Sequence, residues 1–286
     1  MRSTSCNGGL DRAGTPNIHS VPTPDGLSLR VRTWGDSERD VVLIVNAFGM
    51  PFELVEPLAE NLAQEFRVLS WESRGLPGPV PEGRDGLVTS AHVSDLECVL
   101  DHFAVASARW VVGWCTGARI GLHFADKFRE RVRYLALVSG AFGFSDLRPA
   151  PFQKQMAQVL AGVLEQPALA ELLCESQALW GSREVSMGEG GPALASYPFA
   201  SGDNLMRYAR LCLQNDASDM ALNVPHETLI VAGDDDPICS AESSKRLASM
   251  LPRARYVSLA KAGHYLPYTH HSQLAAEINV LNQRWV

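Results

Sequence analysis

One short stretch of the chain carries the residue types of a nucleophilic centre. Residues 111–125, VVGWCTGARIGLHFA, read as a buried strand, a tight turn and a helix, with Gly113-Trp114-Cys115-Thr116-Gly117 at the corner. In a Gly-x-nucleophile-x-Gly turn the two glycines let neighbouring backbone come close, and the central side chain projects above the sheet at the helix N-terminus. The free N–H groups and positive dipole end of that helix favour a thiolate at Cys115, and the Thr116 N–H is a ready oxyanion donor. A nucleophile also needs a base, and the base an orienting acid. Both stand just past later β runs: Asp236 in VAGDDDPI, three residues after Gly233, and His264 in LAKAGHYLP, directly after Gly263. Cys115, Asp236 and His264 are therefore the expected catalytic triad, in the chain order nucleophile, acid, histidine. Asp234 and Asp235 read as solvated loop residues, and His270 and His271 as surface residues at the start of a helix.

The elements that position these residues alternate between strand and helix. Residues 27–34, 41–46, 66–71, 109–114, 132–140, 227–233 and 254–260 read as strands, and VVLIVN at 41–46 has the continuous apolar character of a strand buried on both faces. Helical periodicity appears at 52–66, at 89–103 behind a Thr89 or Ser90 cap, from Thr116 to about Phe128, at 241–251 and at 268–284. Such alternation with short links predicts a mostly parallel twisted sheet flanked by helices. The pattern is interrupted over residues 145–222, which hold three helical segments and a Gly/Pro-rich loop but no convincing β run. This reads as a helical cap or lid inserted into a core of residues 21–144 and 223–286, with 1–20 as a polar N-terminal arm, possessing no order of its own.

Composition narrows the function classes. With 286 residues, 46% of them hydrophobic and 20% charged, the chain fits one large α/β domain with an insertion. A formal net charge of −7 argues against nucleic acid or an anionic membrane as partner. No apolar run reaches the length of a membrane span, and the N-terminus lacks the apolar segment of a secretory signal, so a cytoplasmic location with reduced thiols is expected. The six cysteines, at 6, 98, 115, 174, 212 and 239, show no short paired spacing, so the sequence suggests no metal, no dithiol redox site and no cofactor. Cys98, Cys174 and Cys212 fall in helical patterns, as small buried hydrophobes do.

Taken in order, VVLIVNAFGMP, GWCTG, AGDDDP and KAGHYLP resemble the motifs of the α/β-hydrolase superfamily, over nearly the whole chain after residue 20. The resemblance implies that fold with a helical cap, and it assigns the second oxyanion-hole N–H to Phe48. Where the family has a His-Gly pair this chain has Asn46-Ala47, and where it often has Asp-x-Arg-Gly this chain has Glu72-Ser73-Arg74-Gly75, a segment read as mainly structural. Trp114 and Phe48 are expected to face the substrate pocket, with Trp180, Met187 and Tyr208 contributed by the cap.

The thiol at the elbow bears on the reaction. A cysteine acyl-enzyme is a thioester, close in energy to the acyl thioesters of coenzyme A or phosphopantetheine, so passage of the acyl group to another thiol is nearly thermoneutral. A cysteine elbow on this frame resembles the aminoacyl and acyl transferases of nonribosomal-peptide and polyketide assembly lines, and the cysteine-type thioesterases of the same pathways. That resemblance implies an acyl or aminoacyl thioester substrate on a phosphopantetheine carrier protein. For docking such a partner the sequence offers Arg183, Arg207 and Arg210 in the cap, whereas the basic run Lys127–Arg133 lies at the far end of the helix behind Cys115. Asp203, Asp216 and Asp219 are candidates for an amino group but read as solvated. Two alternatives stand beside acyl transfer: a hydrolase with the same triad, releasing or cyclising the acyl chain, and a hydrolase-like protein that binds without catalysis.

Overall fold

The computed structural model describes residues 17–76, 78, 87–144, 147–148, 151–175, 201–214 and 224–284. Eight strands form one sheet: β1 Asn17–Pro22, β2 Ser28–Trp34, β3 Val41–Val45, β4 Arg67–Trp71, β5 Ala108–Trp114, β6 Val132–Val138, β7 Glu227–Gly233 and β8 Ala254–Leu259. Their spatial order is β1-β2-β4-β3-β5-β6-β7-β8. The β1–β2 and β2–β4 pairs are antiparallel, and β4, β3, β5, β6, β7 and β8 run parallel to one another. The helices are α1 Glu56–Leu62, α2 Thr89–His102, α3 Thr116–Lys127, α4 Pro151–Glu165, α5 Ala168–Glu175, α6 Gly202–Gln214, α7 Ala241–Met250, the short α8 Leu266–Thr269, and α9 His271–Arg284.

The central strands are apolar on both faces because helices cover both. All of β3, VVLIV, is buried. Leu43, Val45, Val111, Leu135 and Leu137 face a core built with α2, α3 and α7, whereas Val42, Ile44, Trp110, Val112, Trp114 and Val138 face one built with α1 and α9. Burying each such side chain contributes about 1.5–3 kcal/mol. Between β6 and β7, α4, α5 and α6 pack around a small cluster of their own: Leu160, Val163, Ala170, Leu205 and Ala209. Leu211 and Tyr208 of α6 join that cluster to the main core.

Two expectations change. The arm expected over residues 1–20 is ordered from Asn17: β1 pairs with β2 from Asn17↔Thr33 to Pro22↔Ser28. It is an edge strand with one face in water, so its sequence, NIHSVP, carries little apolar signal. The α2 cap is Val88 rather than Thr89 or Ser90, for Thr89 is already the first helical residue. Trp180, Arg183, Met187, Asp216 and Asp219 lie outside the described residues.

The segment 72–75 braces the front of the core. Arg74 is buried and forks onto the buried Asp95 of α2, its Nε donating to Oδ2 at 2.7 Å and its Nη2 to Oδ1, while its Nη1 reaches Asp25 at 2.6 Å. Glu72 accepts from Arg30 of β2 at 2.6 Å.

Candidate active site

Parallel strands β5, β7 and β8 end on one side of the sheet, and the three expected triad residues follow those ends. Cys115 occupies the corner between β5 and α3 with φ 55° and ψ −117°, in the region that side-chain-bearing residues rarely adopt. Its backbone is pinned from both sides. The Cys115 N–H donates to Val138 O at 3.0 Å, and its carbonyl accepts from Ala141 N at 3.0 Å and Ala118 N at 3.2 Å. The glycines make the corner possible. A Cβ on Gly117 would stand 2.1 Å from Val45 O, and one on Gly113 would stand 2.5 Å from the Ala118 Cα.

Asp236 and His264 are brought together by their loops. His264 Nδ1 lies 2.9 Å from Asp236 Oδ2, and both side chains are buried. The other carboxylate oxygen, Oδ1, accepts from the Ile238 and Cys239 N–H groups, each at 2.8 Å. With one oxygen tied to its own loop, Asp236 presents the other to His264 at a fixed angle. Nδ1 being held, the Nε2 edge of His264 is the one that meets Cys115, to which the ring is hydrogen-bonded. Cys115, His264 and Asp236 thus stand in line, an arrangement that could serve as nucleophile, base and orienter.

A second thiol completes the centre, and sequence reasoning missed it. The sulfurs of Cys115 and Cys239 and a ring nitrogen of His264 all lie within 4.8 Å of one another. Among the described residues all the cysteines are free thiols. The Cys115 thiol is held well below its ordinary range, first by a hydrogen bond from the Cys239 thiol and then, against the cost of burial, by the charge of His264. For His264 burial works against the imidazolium, but the Cys115 thiolate and the Asp236 carboxylate outweigh it and raise the ring to about 10. Each group thus favours the charged form of the other, and the protonation of Cys115 and His264 belongs to the pair as a unit.

The oxyanion loop keeps its backbone donor but spends it. Asn46, standing where the expected His-Gly pair would begin, ties the loop: its Nδ2 donates to Met50 O at 2.9 Å and Pro51 O at 3.1 Å, and its Oδ1 accepts from Ala47 N at 2.8 Å. Ser73 Oγ accepts from Gly49 N at 3.1 Å and donates to Leu76 O. The Phe48 N–H, the expected second oxyanion donor, donates to Thr116 Oγ1 at 2.8 Å. An incoming oxyanion would have to replace that hydroxyl.

Two side chains expected at the pocket are buried. Trp114 is 1% exposed and lies in the core between the sheet and α1 and α9. Alternation along β5 puts it on the face opposite α3, where its Nε1 donates to His264 O at 3.0 Å and its ring lies 5.5 Å from the His264 ring. It packs behind His264. The Phe48 side chain also turns inward, 4.6 Å from the His92 ring, which burial and the Arg74 cation push down to about 3 and so keep neutral. Tyr208 of α6, by contrast, is near enough to Cys115 to feel its charge, and so is Cys212, which hydrogen-bonds to Tyr208. Cys212 packs against the apolar cluster of α4–α6, and burial pushes its thiol up to about 12. Among the described residues no helix is long and apolar enough to cross a membrane.

Known proteins agree with this architecture. The chain is similar to a protein of Caulobacter segnis that carries the name carbamate hydrolase RutD, 26% identical over 252 residues and covering 85% of this chain and 91% of that one. Its fold superposes on 2-hydroxy-6-oxo-6-phenylhexa-2,4-dienoate hydrolase from Rhodococcus sp. strain RHA1, with a TM-score of 0.74, 18% identity, and 94% and 100% of the two chains covered. A thioesterase domain from the curacin biosynthetic pathway superposes with a TM-score of 0.69 at 18% identity, covering 93% of this chain and 100% of the domain. Residues 40–271, from β3 to the start of α9, match one family model, and the chain belongs to the family of the alpha/beta hydrolase fold.

Proposed function

We propose that the protein transfers an acyl or aminoacyl group between thiols, through a thioester on Cys115. The observation that supports this reading is a cysteine at the strained corner after β5, within 4.8 Å of Cys239 and His264, with His264 Nδ1 held 2.9 Å from Asp236 Oδ2. The Cys115 thiolate attacks the carbonyl carbon of a donor thioester. The oxyanion forms at the N-terminus of α3, against the Thr116 N–H and the Phe48 N–H that the Thr116 hydroxyl releases. As the tetrahedral intermediate collapses, the C–S bond to the donor breaks and His264 Nε2 passes its proton to the departing thiolate. In the second half an acceptor thiol gives its proton to His264 and attacks the Cys115 thioester, which restores the thiolate–imidazolium pair. Both half-reactions exchange one thioester for another, so little free energy is lost in either direction. The donor and acceptor chemistry this fits is the phosphopantetheine arm of carrier proteins.

The same acyl-enzyme intercepted by water gives a hydrolase, the reading that the names of the relatives favour. Product analysis separates the two. With an acyl pantetheine thioester and an excess of a second pantetheine thiol, transfer predicts the new thioester as main product with little free acid. Free acid as main product, at a rate indifferent to the acceptor thiol, would replace transfer by hydrolysis. A binding protein would give neither product, and the assembled triad argues against it.

A further inference from the structure

Catalysis by a triad has no need of a second thiol, yet Cys239 is buried against the first. It comes there because Asp236 Oδ1 bonds the Ile238 and Cys239 N–H groups and curls the loop after β7 beneath the elbow. Two thiol sulfurs and one imidazole nitrogen within 4.8 Å of one another make a ligand set of the Cys2His kind. Zinc–sulfur and zinc–nitrogen bonds of about 2.3 and 2.0–2.1 Å put tetrahedral ligand atoms roughly 3.5–3.8 Å apart, so small side-chain rotations suffice to close on a metal. His264 also has the support such ligands carry, because Asp236 Oδ2 lies 2.9 Å from its Nδ1 and leaves Nε2 to face the thiols. The residue spacing, 115, 239 and 264, hides the set, since each ligand arrives from a different loop.

We propose that Cys115, Cys239 and His264 form a three-ligand site for a thiophilic divalent cation, zinc or its surrogate cadmium, and that metal binding and acylation exclude one another. Cys115 Sγ would be a metal ligand in one state and the nucleophile in the other, and His264 Nε2 a ligand in one and the proton carrier in the other. On binding, the Cys239 thiol and the His264 ring give up their protons to solvent, and the fourth coordination position is left to water or a substrate thiol. The metal site needs the three ligands only, while its exclusion of acylation rests on the acyl-transfer reading; metal uptake and iodoacetamide alkylation therefore test the site even if that reading fails.

The test uses the full chain stripped of metal by a chelator. Cadmium is titrated in while the ultraviolet thiolate-to-cadmium absorption is followed, and zinc uptake is counted by equilibrium dialysis. The expected result is one equivalent of metal per chain, with affinity falling at least ~100-fold in Cys239→Ser and in Cys115→Ser, and roughly 10–100-fold in Asp236→Asn, which loses the partner of the histidine. Cys98→Ser, on α2 away from the site, keeps wild-type affinity. Saturating zinc also slows alkylation of Cys115 by iodoacetamide about tenfold or more, with circular dichroism confirming that each variant is folded. Wild type holding no more metal than folded Cys239→Ser, or zinc leaving Cys115 alkylation unchanged, would overturn the proposal.

Discussion

Gly117→Ala sets two effects of opposite sign against each other. Gly117 is the second residue of α3, where alanine is intrinsically the better helix former by up to ~0.8–1.0 kcal/mol, so propensity alone predicts a gain in stability. Packing predicts the reverse. The added Cβ would stand 2.1 Å from Val45 O, 2.6 Å from Asn46 O and 2.7 Å from Val45 C, all backbone atoms at the end of β3 that cannot swing aside. Ordinary contact begins near 3.4 Å, so α3 and the oxyanion loop must part by roughly 1.3 Å. Relieving such a clash costs about 1–3 kcal/mol, which outweighs the propensity gain. The same displacement draws the Thr116 N–H away from the Phe48 N–H, and a misplacement of about 1 Å costs roughly 10²-fold in rate. Urea unfolding gives the stability change, and stopped-flow acylation of Cys115 by a pantetheine thioester gives the rate. A Gly117→Ala protein as stable as wild type, or one that acylates at the wild-type rate, would refute the claim that contact between elbow and loop sets the oxyanion geometry.

Three further outcomes are expected. Because the Cys115 thiol is held well below the ordinary thiol value of about 8.5, its alkylation rate falls less steeply than that of Cys98 as pH falls from about 8 to about 6. Cys98, which burial pushes up, slows about tenfold per unit, and peptide mapping after timed alkylation reads both. Asn46→Ala removes three hydrogen bonds from the oxyanion loop and lowers the acylation rate about 10²-fold while the Cys115 alkylation rate is unchanged, a split that separates loop geometry from thiol activation. Asp95→Ala takes from the buried Arg74 the carboxylate it forks onto and destabilises the fold by about 3–5 kcal/mol, read from the urea midpoint.

The meeting of Cys115, Asp236 and His264 was legible in the sequence because each follows a recognisable buried run and a glycine. VVGWC, VAGDDD and KAGH mark the ends of strands whose apolar continuity betrays a covered sheet, and the order of those ends is enough to bring three loops together. What escaped depends on direction and on distance across the chain. Trp114 is next to the nucleophile in sequence, but a strand's period of two turns it to the opposite face with Trp110 and Val112. Counting that alternation would have placed it correctly. β1 pairs through its backbone at the sheet edge and leaves side chains in water, so polarity concealed it. Cys239 had a weaker signal. A cysteine three residues after the acid lies in the loop that the carboxylate itself folds, but only the register of β7 beside β6 and β5 shows that the loop ends under Cys115.

The central claim is that Cys115 is an activated nucleophile that carries the acyl group. Intact-protein mass spectrometry after brief exposure to an acyl pantetheine thioester tests it most directly. The account predicts one acyl mass added to wild type, mapped to the Cys115 peptide, absent from Cys115→Ala and discharged when a pantetheine thiol is added. An adduct of equal yield in Cys115→Ala, or on any of the other cysteines instead, would contradict it.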